Sequence, residues 1–169
     1  RNYIVLDYRR IAPEYTSLAN QSLVTDIQVV DVYDRIRLFQ NKLFLNLRMT
    51  FQNDNLLEGL KEYTTTTRTP SVSVNIMPGP AWPTISATSK LYLRGNDYDL
   101  LDTTRTVDPR LDNQTLYNML SISQPLDIMG RRSSIHLNLA QTERTDQISD
   151  RPAGYTNNDM FARVINLAA

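Results

Sequence analysis

The sequence predicts an all-β protein, an antiparallel up-and-down transmembrane β-barrel, and three observations support this prediction. First, segments of about ten residues alternate apolar and polar side chains, as in Leu43–Phe51, where leucine, methionine and phenylalanine share one face. Second, about eight such segments follow one another without a helical pattern between them. Third, their connections alternate between long and short. Long loops at one end and tight turns at the other are typical of outer-membrane barrels.

Each predicted strand has period-two alternation or β-branched residues, and each connection is polar or contains Pro and Gly. The predicted strands are Asn2–Tyr8, Thr25–Phe39, Lys42–Phe51, Thr64–Met77, Thr84–Arg94, Asn113–Leu126, Ser133–Thr145 and Met160–Leu167. The predicted long loops are 9–22, 52–62, 95–112 and 146–158, and the predicted tight turns are 40–42, 78–83 and 127–132.

Two residues disturb the alternation. Asp34 has the same parity as the apolar Val32 and Ile36, which predicts either a bulge or a position above the apolar band. Pro70 has no amide hydrogen for a β-ladder, so it is expected at a sheet edge, at a bulge or at the exposed end of its strand.

Composition limits the classes of function. Length predicts one domain over residues 1–169, either a complete small barrel or part of a larger one. The 18 basic and 18 acidic residues balance, which predicts no nucleic-acid partner. No apolar run approaches the roughly 18 to 20 residues of a transmembrane helix. Because there are no cysteines and no clusters of metal ligands, neither a metal nor a cofactor is expected. The chain begins RNYIVLDY, which indicates a mature or trimmed part of a longer polypeptide.

Alternation also assigns the two faces of the predicted barrel wall. Apolar residues of one parity should face lipid and residues of the other parity should face the lumen. The expected lipid-facing residues are Leu43, Leu45, Leu47, Met49, Val72, Val74, Ile76, Ile135, Leu137 and Leu139. The expected lumen-facing residues are Arg35, Arg37, Arg48, Lys90 and His136.

The lumen-facing cations allow two interpretations. With Asp31 as a counter-charge they form a network of ion pairs that makes the interior rigid, and a small barrel that fills its own lumen favours this interpretation. Alternatively, a mildly cationic interior favours anionic solutes. Aromatic residues near strand ends predict a girdle at the membrane surfaces. These aromatic residues are Tyr63, Trp82, Tyr92, Tyr98 and Tyr117.

The single histidine offers the one arrangement suited to catalysis. His136 shares the lumen-facing parity with Ser121 and Ser123 of the preceding predicted strand, and a histidine can activate a serine hydroxyl. No carboxylate or amide is placed by sequence to orient the imidazole, so no catalytic residue is predicted and the chain is not expected to be an enzyme.

Three segments resemble barrel regions of outer-membrane proteins from Bacteroidota and related bacteria, over roughly Thr25–Thr145. These are DVYDRIRLFQNKLFLNLRMTF, TTTTRTPSVSVNIMPGPAWPTISATSKLYLR and SSIHLNLAQTERTD. The resemblance implies a bacterial outer-membrane protein, with lipid and other envelope proteins as partners. The expected function is that of a structural or complex-associated component, or of a passive pore. The alternative is a soluble cell-surface β-sandwich binding module, which uses similar alternating strands.

Overall fold

The computed structural model describes residues 2–13, 26–56, 63–98, 110–128, 131–149 and 159–168. They form eight strands and no helix. The strands are β1 (Tyr3–Ile11), β2 (Ile27–Leu38), β3 (Leu43–Asp54), β4 (Thr65–Ile76), β5 (Thr84–Asn96), β6 (Asp112–Ile128), β7 (Arg131–Asp146) and β8 (Met160–Ala168). Within the described parts of the chain, no helix is long and apolar enough to cross a membrane.

All eight strands belong to one antiparallel sheet, in which each strand pairs with its neighbours in sequence. The predicted all-β, up-and-down meander is therefore confirmed. The sheet is open in the described residues, because β1 pairs only with β2 and β8 only with β7. Strand bounds also confirm the alternation of connections, since β2 and β3, β4 and β5, and β6 and β7 are separated by only a few residues each. The central parts of the predicted long loops, 14–25, 57–62, 99–109 and 150–158, lie outside the described residues.

Some strand ends differ from the prediction. Arg9 to Ile11 continue β1 instead of beginning a loop, and they pair with Val29 to Ile27 of β2. The polar Gln52 to Asp54 likewise extend β3. These residues lack a strongly alternating pattern of their own, but the ladder continues onto them because each has a partner on the neighbouring strand.

The register keeps residues of like parity on one face across the whole sheet. One row, for example, runs across seven strands and is apolar throughout: Leu38, Leu43, Ile76, Ile85, Ile122, Leu137 and Leu167. We call the face that carries Leu43 the apolar face and the face that carries Arg48 the polar face. Among the described residues, only Ile27 and Val29 are buried hydrophobic residues, and no described layer packs on either face.

Asp34 lies in the middle of the apolar face. It pairs with Ile4 of β1 and with Leu47 of β3, and the register of β2 runs through it without an extra residue. The predicted bulge is therefore wrong. The second predicted possibility, a position above the apolar band, is wrong too, because the apolar Val32 and Ile36 precede and follow Asp34 on the same face.

Pro70 lies inside an interior strand, so its predicted place at an edge, a bulge or a strand end is wrong. It pairs normally with Met49 of β3. On the β5 side, the ladder stops after Arg68 and resumes at Ser71 in the same register. A proline cannot donate to a ladder, and the sheet accommodates this one by leaving a local gap instead of shifting register.

Acidic and amide side chains cap the ends of the strands on the long-loop side. Asp26 accepts hydrogen bonds from the backbone amides of Asn55 and Leu56, at 3.2 and 2.8 Å. Asp97 accepts one from the amide of Thr64 at 2.6 Å, and Asn96 one from the amide of Leu111 at 2.8 Å. These side chains supply partners for backbone groups that lie beyond the ladder.

The β2–β3 turn is left-handed at three successive residues. Phe39, Gln40 and Asn41 have φ of 50°, 54° and 67°, and the amide of Lys42 donates to the carbonyl of Phe39 at 3.1 Å. The amide of Met77 also donates to the carbonyl of Lys42 at 2.7 Å, which joins this turn to the β4–β5 turn. Glutamine is an unfavourable residue at a positive φ.

Replacing Gln40 and Asn41 together by Asn and Gly should stabilise the chain. At each position the new residue adopts a positive φ more readily than the residue it replaces, so we expect the free energy of unfolding to rise by about 1 kcal/mol. Urea titration followed by Trp82 fluorescence measures it, since Trp82 is the single tryptophan. Thr88→Gly, at an interior strand position, is the control and should lose about 1 kcal/mol. A loss in the turn variant would contradict the assigned turn.

Candidate functional site on the polar face

The register divides the sequence-predicted site residues between the two faces of the sheet. The five predicted lumen residues share the polar face: Arg35, Arg37, Arg48, Lys90 and His136. The ten predicted lipid-facing residues share the apolar face: Leu43, Leu45, Leu47, Met49, Val72, Val74, Ile76, Ile135, Leu137 and Leu139. The two sets are therefore separated by the sheet itself.

Arg48 and Asp31 form a bidentate ion pair on the polar face. Arg48 Nε lies 2.8 Å from Asp31 Oδ1, and Arg48 Nη2 lies 2.7 Å from Asp31 Oδ2. The Thr50 hydroxyl donates to Asp31 Oδ1 at 2.7 Å. The Asp31 side chain is only 17% exposed, whereas Arg48 is 56% exposed. Asp31 is thus the counter-charge that the sequence predicts, and it leaves Arg48 neutralised.

Removing the guanidinium of Arg48 should destabilise the sheet measurably. In Arg48→Gln, the half-buried Asp31 carboxylate loses its charged partner, and we expect about 1 to 2 kcal/mol of unfolding free energy to be lost, less than for a fully buried pair. Lys90→Gln is the matched control, because Lys90 makes no ion pair within the described residues, and it should change stability by at most about 0.5 kcal/mol. Equal losses in both variants would argue against this pair.

Amide and hydroxyl side chains hydrogen-bond across neighbouring strands on the same face. The Tyr33 hydroxyl donates to Asn46 Oδ1 at 2.9 Å, and Asn46 Nδ2 donates to Ser73 Oγ at 3.1 Å. Two more pairs join β4 to β5 and β6 to β7: Ser86 with Asn75, and Ser121 with Asn138. The polar face therefore satisfies many of its own groups through neutral hydrogen bonds, whereas the predicted network of ion pairs is reduced to the Arg48–Asp31 pair in the described residues.

Arg35 and Arg37 have a different environment from Arg48. Their guanidinium carbons lie 5.2 and 5.9 Å from the centre of the Phe44 ring, which is within cation–π distance. Neither makes an ion pair within the described residues, and Arg35 Nε is buried without a hydrogen-bond partner. Sequence reasoning missed this cluster, since Phe44 meets Arg37 only through the β2–β3 register.

His136 does not form the arrangement with serine that the sequence suggested. Ser123 is its direct partner across the β6–β7 ladder, but His136 Nε2 lies 2.7 Å from Ser134 Oγ on its own strand. Ser121 bonds Asn138 instead. Within the described residues no group of three or more His, Cys, Asp or Glu side chains could hold a metal ion. The serine that contacts this histidine is therefore Ser134 of its own strand, and neither of the two serines that the sequence suggested.

Aromatic residues lie at both ends of the apolar face, although not all of those predicted do so. Tyr92 and Tyr117 are on the polar face, around Lys90, so their expected place in a girdle is wrong. Tyr63 and Tyr98 stack edge to face at 5.9 Å beside the long loops. Three exposed residues missed by sequence, Tyr8, Phe51 and Phe161, border the apolar face on that side. Phe39 and Trp82 are exposed in the short turns.

A row of polar residues crosses part of the apolar face and was also missed. It consists of Ser89, Asn118, Gln141 and Arg163 on β5 to β8. These residues line a groove of about 540 Å³ together with Val72, Ala87 and Leu139. The sequence could have indicated this polar row, because Gln141 lies two residues after Leu139 and therefore points to the same face of its strand.

The described residues thus form an open, single-layered antiparallel β-meander with one apolar and one polar face. No family model, no curated protein and no solved structure matches this chain.

Proposed function

We propose that this chain forms the wall of a β-barrel in a bacterial outer membrane, as a structural or complex-associated component or as a passive pore. The observation that supports this most strongly is the apolar face, which has an unbroken apolar row from Leu38 on β2 to Leu167 on β8 and no described layer against it. At the sheet edges Leu6 is 70% exposed and Leu167 is 74% exposed. Apolar side chains at this density need a dry environment, and lipid supplies it.

The height of the apolar stretch fits a bilayer. On β3 it runs from Leu43 to Phe51, which is about 27 Å along an extended strand. At the tilt of barrel strands, about 35 to 45°, this length covers about 19 to 22 Å of height, close to the apolar band of a barrel, which is about 25 Å tall. Trp82 and Phe39 at one end, with Phe51 and Tyr8 at the other, occupy positions where aromatic girdles are found.

The apolar stretch also moves along the strands from one side of the sheet to the other. It extends to Phe51 on β3, but on β7 it ends at Leu139, which is level with Leu45. The β6–β7 hairpin is displaced in the same direction and pairs as far as Ile128, well past the row of Ile122. Barrel strands are tilted by about 35 to 45° from the membrane normal. A band of apolar residues at constant height in the membrane therefore shifts along the strands from one strand to the next.

The displacement of the apolar stretch along the strands and the one-sided apolar surface both favour a barrel over the alternative, a soluble sandwich. A sandwich needs a second sheet on the apolar face. The described strands all belong to one sheet. In the barrel, the free edges of β1 and β8 pair with each other or with further strands, because unpaired backbone groups are costly in lipid. The long loops then lie outside the cell and the short turns in the periplasm.

Single-cysteine labelling tests this proposal directly, because the chain contains no cysteine. An environment-sensitive fluorophore is attached to Leu45→Cys or Leu137→Cys on the apolar face, and to Thr88→Cys on the polar face. After reconstitution into vesicles, nitroxide-labelled lipid should quench the first two labels and leave the third unchanged. A soluble sandwich also shields the apolar face, but lipid would quench none of the three labels. That result, with a monomer stable in buffer without detergent, would reject the proposal.

A further inference from the structure

The Arg35–Arg37 pair lines a cavity on the polar face next to β1. The cavity has a volume of about 340 Å³, and its walls are Asn2, Tyr3, Tyr33, Arg35 and Arg37. The two arginines are two residues apart on β2, so their side chains leave the same face of the strand at neighbouring positions. Tyr3 is the ladder partner of Arg35 on β1.

No side chain in the described part of the chain neutralises this pair. The ladder partners of Arg35 and Arg37 on β3 are Asn46 and Phe44, which carry no charge. The nearest carboxylate on the polar face of β2, Asp31, is already engaged by Arg48 and Thr50. Arg35 Nε is buried and has no hydrogen-bond partner, which is unusual for a charged donor group.

Phe44 holds the two guanidinium groups without satisfying their donors. Both guanidinium carbons lie within 6 Å of the ring centroid, so the ring restricts where they go. Cation–π contact leaves the N–H groups in the guanidinium plane available for an acceptor. The Tyr3 hydroxyl, which has no hydrogen bond within the described residues, adds a further donor at the cavity wall.

We propose that this cavity is a binding site for a soluble oxyanion of the phosphate class. Two guanidinium groups offer paired N–H donors that match the oxygen spacing of phosphate. A halide is a single atom and has no pair of oxygens to match them. A free solute fits better than a lipid headgroup, because the cavity opens on the polar face, opposite the apolar side chains. The site depends on the β1–β3 register and not on the proposed membrane location.

Equilibrium dialysis of radiolabelled inorganic phosphate tests the site on the full chain, refolded in a maltoside detergent that carries no phosphate group. Sodium chloride holds the ionic strength constant, and sulfate serves as a competing oxyanion. We expect one saturable site, displaced by sulfate. In Arg37→Gln binding should weaken about tenfold or more, and in Arg35→Gln/Arg37→Gln it should be lost. Lys90→Gln, which removes an isolated cation from the same face, should bind like the unchanged chain.

Two further measurements make each outcome decisive. Arg37 is exposed, so Arg37→Lys keeps both the fold and the charge and should still weaken binding, because the paired donors are gone. Absence of saturable phosphate binding, equal binding in the arginine variants, or equal weakening by Lys90→Gln would each overturn the site. If the chain proves soluble, the same dialysis runs in buffer, so failure of the membrane proposal and failure of this site give different results.

Discussion

Leu45→Arg is expected to prevent stable insertion of the chain into a bilayer. Leu45 lies near the middle of the apolar face, between Ile36 of β2 and Val74 of β4. A cation on the lipid side of a barrel costs about 2 to 4 kcal/mol at the bilayer midplane. A domain has only about 5 to 15 kcal/mol of stability in total, so a loss of this size should reduce the folded fraction sharply.

Refolding into vesicles measures this effect, with heat-modifiable migration on gels as the readout of the folded barrel. Thr88→Arg is the matched control, since it introduces the same side chain at a similar height on the polar face. It should insert nearly as well as the unchanged chain. If Thr88→Arg blocked insertion and Leu45→Arg did not, the two faces would have to be exchanged in the proposed barrel.

The arrangement of strands and faces could be predicted from the sequence because both depend on local patterns. Leu43 to Phe51 alternate strictly, and parity alone then places every second residue on the same side of a strand. Asp31 was predicted in the same way as a counter-charge for the cations of its parity, and the register selects Arg48 among them as its partner.

Features that depend on register between strands were not predictable in this way. Phe44 contacts Arg35 and Arg37 because the left-handed β2–β3 turn sets Leu38 opposite Leu43, which places Phe44 opposite Arg37. Pro70 stays inside the sheet because only its β5 side loses ladder pairs, which no rule about a single strand anticipates. Whether the sheet closes into a barrel is still harder to predict from the sequence, because closure depends on the number of strands and on their stagger together.

Asp34 matters for the proposed membrane location because of the register row in which it lies. Asp34 shares its register row with Leu47 and Val72, in the middle of the apolar stretch of β2 to β4, and its Oδ1 atom is buried without a hydrogen-bond partner. An ionisable group at this position is costly in lipid, although less so than a lysine or arginine. Proteins keep such groups when they serve a purpose other than stability.

Asp34→Val should therefore stabilise the chain in a bilayer, by about 1 to 3 kcal/mol, because it replaces an unsatisfied carboxylate with an apolar side chain that matches Val32 and Ile36. Urea unfolding from vesicles, followed by Trp82 fluorescence, measures the gain. Thr88→Val is the control on the polar face, where no gain is expected because that side chain faces away from lipid. A loss of stability in Asp34→Val would mean that β2 meets protein or water at this height, which would confine the lipid contact to other strands.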